Sequence, residues 1–493
     1  MMNVSSNCER RRLRRGARGL TGLALALALA HPAAAQVEMQ SLTKLDLFSA
    51  GRDAGFGQDV WKGASADIAR AVIPTLATKP LSPAGTSLAR RLLAQSATAP
   101  DGAGSDADLA AARVKALLAL GEAPLVDSMM DRTPNLSQNA ALSQVAAEAA
   151  LDLGQDDKAC AISEALTTDR GGLYWLRLRA YCQVAAGKPD AAQLTFTLAN
   201  QQAKDLVLAR LMTAAINGSG DPGPASLRSG LDYALSRRLK LDLAPALAGA
   251  SPAVADQVSA GLVGAQPAAA ATAAPPEADM IAQLTAAKSF SAFVAVAKQA
   301  RPVIVGLVQT KAPIGDPLLE ASAALAAGDV DDAQAIRAVL AQPNAPQVDP
   351  LDLAILDAAL AAAVGKPDSP TLDRLIERGG VGDAKTRSRG QAAAAVFVAL
   401  GGEMSDQARA QFAGFDFRHG DAPPARLMLM QADAEAGRVG ETTLLALAVA
   451  EAGGAAGPAA SDRAHIIQAL DRAGRKADAQ AFAVEGLLSL EAR

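Results

Sequence analysis

The chain has 493 residues, a formal net charge of −4 and three cysteines, and half of its residues are hydrophobic while only 3% are aromatic. That length exceeds what one hydrophobic core normally serves, so several domains or a repeat array are expected. The apolar share is dominated by Ala and Leu, the best apolar helix formers, and strand-forming residues are scarce; a sheet protein is excluded and an all-α fold expected.

Residues 1–35 read as an export signal. Arg10, Arg11, Arg12, Arg14, Arg15 and Arg18 form a basic region, Leu20 to Ala30 an apolar run of eleven, and Ala33-Ala34-Ala35 the small-residue pattern of a cleavage site. Eleven apolar residues are too few to span a bilayer. Cleavage after Ala35 is therefore expected, leaving a periplasmic chain without an integral span; an uncleaved anchor is the alternative. Losing six arginines and Glu9 takes the net charge from −4 to −9. An acidic chain without a basic stripe argues against nucleic acid and anionic membrane surfaces as partners. Cys160 and Cys182 remain, an even count suited to a disulfide in an exported protein.

In chain order, apolar spacing predicts a first helical pair at 63–77 and 84–97. Helices follow at 106–120, 123–131, 137–153, 156–167, 172–186, 189–201 and 205–216. Gly218 to Pro224 reads as a loop. Gly264 to Pro276, GAQPAAAATAAPP, has no amphipathic pattern and reads as a flexible linker. The expected organisation is a signal peptide (1–35), an N-terminal helical array (36–262), a linker (263–276) and a C-terminal array (277–493).

Glycines punctuate both arrays. Gly121, Gly154 and Gly187 lie 33 residues apart, and Gly328, Gly365, Gly401, Gly437 and Gly474 follow at steps of 37, 36, 36 and 37. Each ends an apolar run, where a left-handed helix terminus favours glycine. An alanine follows five residues later at Ala159, Ala192, Ala333 and Ala479, where the two helices of a hairpin would cross closely. A fixed period of this length signals stacked helical hairpins, that is, an α-solenoid.

This grammar resembles a degenerate tetratricopeptide repeat over roughly 106–217 and 315–491. The clearest copy is 172–204, where Ala180, Gly187, Ala192, Phe196 and Ala199 fall at the family's small, glycine, small, aromatic and small positions. Leu176 stands at its early Trp position and Arg179 at its Leu. The resemblance implies a scaffold for gripping another macromolecule and names no ligand.

Motifs that could carry chemistry lack their context. Gly218-Ser219-Gly220-Asp221-Pro222-Gly223 matches a dinucleotide-binding pattern but follows a helical run, not a strand. Arg418-His419-Gly420 matches a phosphohistidine motif without a strand or a converging second histidine. Asp156-Asp157 and Asp331-Asp332 suit helix N-termini. No ligand cluster stands at zinc spacing, so neither cofactor nor metal is expected.

One constellation rises above this background: Cys160 with Tyr174, Trp175, Tyr181 and Cys182. Counted from the turn between 156–167 and 172–186, the cysteines sit at depths of about 10 and 15 Å at about 1.5 Å per residue, close enough for a bridge; two buried thiols are the alternative. The aromatic cluster reads as reinforced core, or as partner-binding anchors at Tyr174, Trp175 and Tyr181. The function these features favour is an exported scaffold for protein–protein interaction in the bacterial cell envelope, without catalysis. An envelope enzyme or accessory factor acting on glycan or peptide, or a peptide- or lipid-binding protein, is the alternative.

Mass spectrometry of the exported protein should find Gln36 at the N-terminus. An intact residue 1 would overturn the processing assignment.

Overall fold

Short polar turns with glycine, proline or a capping acid divide this chain into helices, as its composition demands. A computed structural model describes residues 46–265 and 276–491; the expected export signal and residues 266–275 of the expected linker lie outside the described residues. Among the described residues there is no β-strand, only one isolated bridge between Arg52 and Gln95. The protein is all-α.

Helices α1 (Ala66–Val72) and α2 (Pro83–Ala94) come first. Three pairs with tight turns follow: α3 (Ala107–Ala119) and α4 (Ala123–Asp131), α5 (Ala140–Asp152) and α6 (Asp156–Ala165), α7 (Leu173–Ala185) and α8 (Pro189–Gln202). Next stand α9 (Leu206–Asn217), α10 (Gly230–Arg238) and α11 (Pro252–Ala265). Beyond residue 275 come α12 (Glu277–Thr285), α13 (Phe290–Thr310), α14 (Pro317–Ala327), α15 (Val330–Val339), α16 (Pro350–Ala363) and α17 (Ser369–Gly379). The last six are α18 (Ala384–Ala399), α19 (Asp406–Phe412), α20 (Pro424–Glu435), α21 (Val439–Gly453), α22 (Ala460–Arg472) and α23 (Lys476–Leu488).

The turn chemistry explains these boundaries. All eight periodic glycines take left-handed φ values, from 67° at Gly365 to 97° at Gly401. At Gly187 the amide donates to Val184 O at 3.1 Å and the Lys188 amide to Gln183 O at 2.8 Å, which satisfies the last carbonyls of α7. Asp106, Asn139 and Asp205 cap α3, α5 and α9 by accepting amides of the first turn. Ala159, Ala192, Ala333 and Ala479 are all fully buried, as close helix crossing requires.

Three elements depart from these expectations, the first for a tertiary reason. The helix expected at 84–97 stops at Ala94, because the Gln95 side chain turns away to accept the Ala54 and Phe56 amides at 2.9 and 3.1 Å. The helix expected from 137 is a 3₁₀ turn at Leu136–Gln138, after which Asn139 restarts the chain as α5. Helix α10 was hidden behind its glycine-rich approach; Ser229 caps it and Gly230 occupies its first position.

The first and last described helices pack on one another. Trp61, 1% exposed, lies against Gly440, where an added Cβ would stand 2.7 Å from the indole. Glu441 accepts the Ser65 amide at 2.5 Å and Glu485 the Ala84 amide at 2.7 Å. Arg91 pairs with Asp478, and Arg475 stacks 3.7 Å from the Phe56 centroid. One continuous core therefore joins buried residues from Phe48 to Ala149 with those from Met280 to Leu488. A second core lies under α5 to α10.

Glu485 also accepts from Arg463 at 2.9 Å, and both side chains are buried. Replacing it (Glu485→Ala) leaves Arg463 unpaired and the first turn of α2 uncapped. Chemical denaturation should show a loss of about 3–5 kcal/mol, with the amides of α2 exchanging before those of α5. A loss under about 1 kcal/mol would show that this contact does not hold the ends.

Candidate binding groove

Helices α3, α5, α7 and α9 place side chains around one cavity of about 850 Å³, to which α10 adds Leu231 and Asp232. Alanines make much of its wall: Ala111, Ala112, Ala119 and Ala141, with Leu118, Val145 and Leu208 between them. A second concavity of about 450 Å³ shares Ala141, Gln144, Leu173 and Tyr174 with the first and runs on to Asp108 and Asp169. The result is an open, mostly apolar groove with a few converging polar groups, the general make-up of ligand sites.

Those polar groups centre on α5. Glu148 and Asp152 lie one helical turn apart and so share a face. Glu148 Oε1 accepts the Gly230 amide at 2.6 Å, and its Oε2 accepts the Tyr174 hydroxyl at 3.0 Å. Gly230 is required here because a Cβ would meet Leu151 Cβ at 2.7 Å and Asp152 Oδ1 at 2.8 Å. Asp152 is 2% exposed, and its Oδ1 has no hydrogen-bond partner.

The electrostatics follow from this burial. Burial, then the Glu148 charge, push the Asp152 carboxyl up to about 8. Burial also raises Glu148, offset in part by the Gly230 amide and the Tyr174 hydroxyl. Burial and the adjacent Glu148 hold Tyr174 well above the ordinary phenol range, so it donates as a neutral hydroxyl. At the rim, Arg228 bonds Asp232 at 2.8 Å and Asp205 at 3.2 Å, and Ser226 completes the Asp232 shell at 2.7 Å.

The expected site residues fall in different places. Cys160 on α6 and Cys182 on α7 form a disulfide, with Cα atoms 5.6 Å apart. Tyr174 lies on the groove wall. Trp175 and Tyr181 are core residues, 2% and 1% exposed, and the Tyr181 hydroxyl donates to Asp156 at 2.7 Å. Asp156 also receives Arg237 at 2.6 Å, so this member of the acidic pair after Gly154 serves a structural network. Sequence reasoning passed over Glu148 and Asp152; the one signal was two acids four residues apart in an otherwise Ala-rich apolar helix.

The remaining motifs stay apart from the groove. The loop at 218–223 is tied down by Arg210, which donates to the Pro222 and Pro224 carbonyls. His419 sits in an exposed loop, and His465 Nδ1 lies 2.8 Å from the Ser461 carbonyl within α22. No metal-holding group of His, Cys, Asp or Glu occurs among the described residues. Helix α13 is long and apolar enough to cross a membrane by composition, yet a third of its most apolar window is buried within the protein. No protein-family model, curated protein or solved structure matches the chain.

Asp152 sets a stability slope. Below about pH 4 it is protonated in both folded and unfolded chains and contributes no difference. Between about 4 and about 8 only the unfolded chain ionises, so folding stability falls with pH and levels off above about 8. Asp152→Asn should remove this term, and its advantage over the wild type should grow with pH to on the order of a few kcal/mol at pH 9. Denaturant titrations at pH 4, 6 and 9 check this; an advantage independent of pH would overturn it.

Proposed function

We propose that the chain is an exported helical-repeat scaffold of the bacterial cell envelope that holds a segment of a partner protein in the groove between α3, α5, α7, α9 and α10. The groove itself carries the proposal: alanines of α3 and α5 with Leu173 of α7 and Leu208 of α9 line one open concavity, where a ligand segment would find both apolar wall and fixed polar groups. The reading keeps the helices of 106–217 and 315–491 as two TPR-like α-solenoid runs. Left-handed glycines at every repeat and fully buried alanines behind four of them support that. Periplasmic location rests on the basic, apolar and Ala-rich order of residues 10–35, and the Cys160–Cys182 bond suits an oxidising compartment.

The second reading, an envelope enzyme acting on glycan or peptide, draws on the Glu148–Asp152 pair, since paired carboxyls can serve acid–base chemistry. Against it, both Glu148 oxygens are engaged by Gly230 and Tyr174. Glu148 works first as an anchor for α10.

A photo-cross-linking residue at Gln144, which is exposed in the groove, should give a discrete adduct with an envelope protein. The same probe at exposed Gln309 on α13 should give none. Equal labelling from both positions, or none from Gln144, would overturn the groove as the binding face.

A further inference from the structure

We infer that the groove carries a subsite for a cationic side chain, so that the partner segment it takes presents a lysine or arginine to Asp152. The inference rests on the groove being the binding face and goes on to name the chemistry it selects.

Three observations lead there. First, Asp152 is an unsatisfied group in a place where burial makes that expensive: 2% exposed, lining the cavity, with Oδ1 lacking any partner. Second, the carboxyl one turn away brings no counter-charge. Glu148 is held by an amide and a phenol, both neutral, and no lysine or arginine among the described residues bonds either acid. Third, the two joined concavities are lined by six acids (Asp108, Glu148, Asp152, Asp169, Asp205 and Asp232) against three bases, Lys115, Arg177 and Arg228. Arg228 is already committed to Asp205 and Asp232.

With Arg228 committed, Glu148 and Asp152 are left without a bonded base in an apolar wall that strengthens any charge pairing made there. Burial holds Asp152 neutral at pH 7 in the free chain, so a cation that reaches it pairs with the carboxylate as the carboxyl proton leaves to solvent. A lysine ammonium or arginine guanidinium brings several N–H donors and a positive charge that favours the ionised carboxylate, whereas a neutral donor brings no charge. A metal ion is a poor fit because no cluster of three or more ligating side chains exists among the described residues. The alanines that line the same cavity suit the aliphatic stem of a long basic side chain and the small residues beside it.

The test uses capped heptapeptides of Ala and Leu with Lys, Gln or Glu at the centre, titrated calorimetrically against the full mature chain. The Lys peptide should bind about tenfold tighter than the Gln peptide, and the Glu peptide more weakly still. Asp152→Asn, which keeps the shape of the side chain, should cut the Lys preference to within about threefold, with folding verified by thermal melting. Ala141→Trp, at an exposed position shared by both concavities, should abolish binding of every peptide. Equal affinity for the three peptides, lost in Ala141→Trp, would overturn the cationic subsite and leave the groove standing. A Lys preference unchanged in Asp152→Asn would overturn the assignment to Asp152. No binding, or binding insensitive to Ala141→Trp, would overturn subsite and groove together.

Discussion

Two backbone amides near the start of the chain are held by carboxylates near its end, and the rest of the architecture depends on that capture. Glu441 takes the Ser65 amide and Glu485 the Ala84 amide, across about 376 and 401 residues of sequence. A run of helical hairpins has contacts mainly between neighbours, and its terminal units expose faces that need covering. Here the first helices cover the last ones. Both amides belong to helix starts, where orphan donors attract anions, so each acid also acts as a remote cap.

From this anchor, order passes to the groove through Arg113. It is 1% exposed and donates to the carbonyls of Leu93, Phe48 and Gln95 at 2.7, 3.0 and 2.7 Å. Burial lowers its pKa to about 10, so it stays charged at neutral pH, and its guanidinium lies 5.0 Å from the Phe48 centroid. One buried cation thus joins α3, which forms a groove wall, to the segment behind α2. On the far side the disulfide ties α6 to α7, while Asp156 holds Tyr181 of α7 and Arg237 of α10. The groove's walls are fixed from behind, which leaves its lining free for a ligand.

Much of the helical fold was legible because its signals are local. A glycine with φ of 72° at position 187, a proline at the next helix start and a capping aspartate each leave a mark within a few residues. The expected span 123–131 coincides with α4, and 172–186 with α7 to within one residue at each end. Contacts 400 residues apart leave no such mark, so the seating of α2 on α23 was not legible. Nor was the early end of α2, where the Gln95 side chain left the helix to accept two distant amides. In α7, the aromatic cluster of Tyr174, Trp175 and Tyr181 read equally as core or as partner anchors, and local sequence could not say which side faced the core. The structure buries Trp175 and leaves its neighbour Tyr174 on the groove.

Glu148 and Asp152 escaped notice for a related reason: in a helix of alanines, two acids one turn apart read as solubilising residues. Their environment is made by α10, which comes some 80 residues later. Gly230 lacks a Cβ, so the start of α10 approaches α5 closely enough to give Glu148 an amide and to bury Asp152 Oδ1 without a partner. One close approach therefore does two opposed things. It satisfies the first carboxyl and strands the second. A packing requirement alone would be met by an apolar residue at 152, at no desolvation penalty. Keeping a carboxyl there makes chemical sense where something outside the chain completes it.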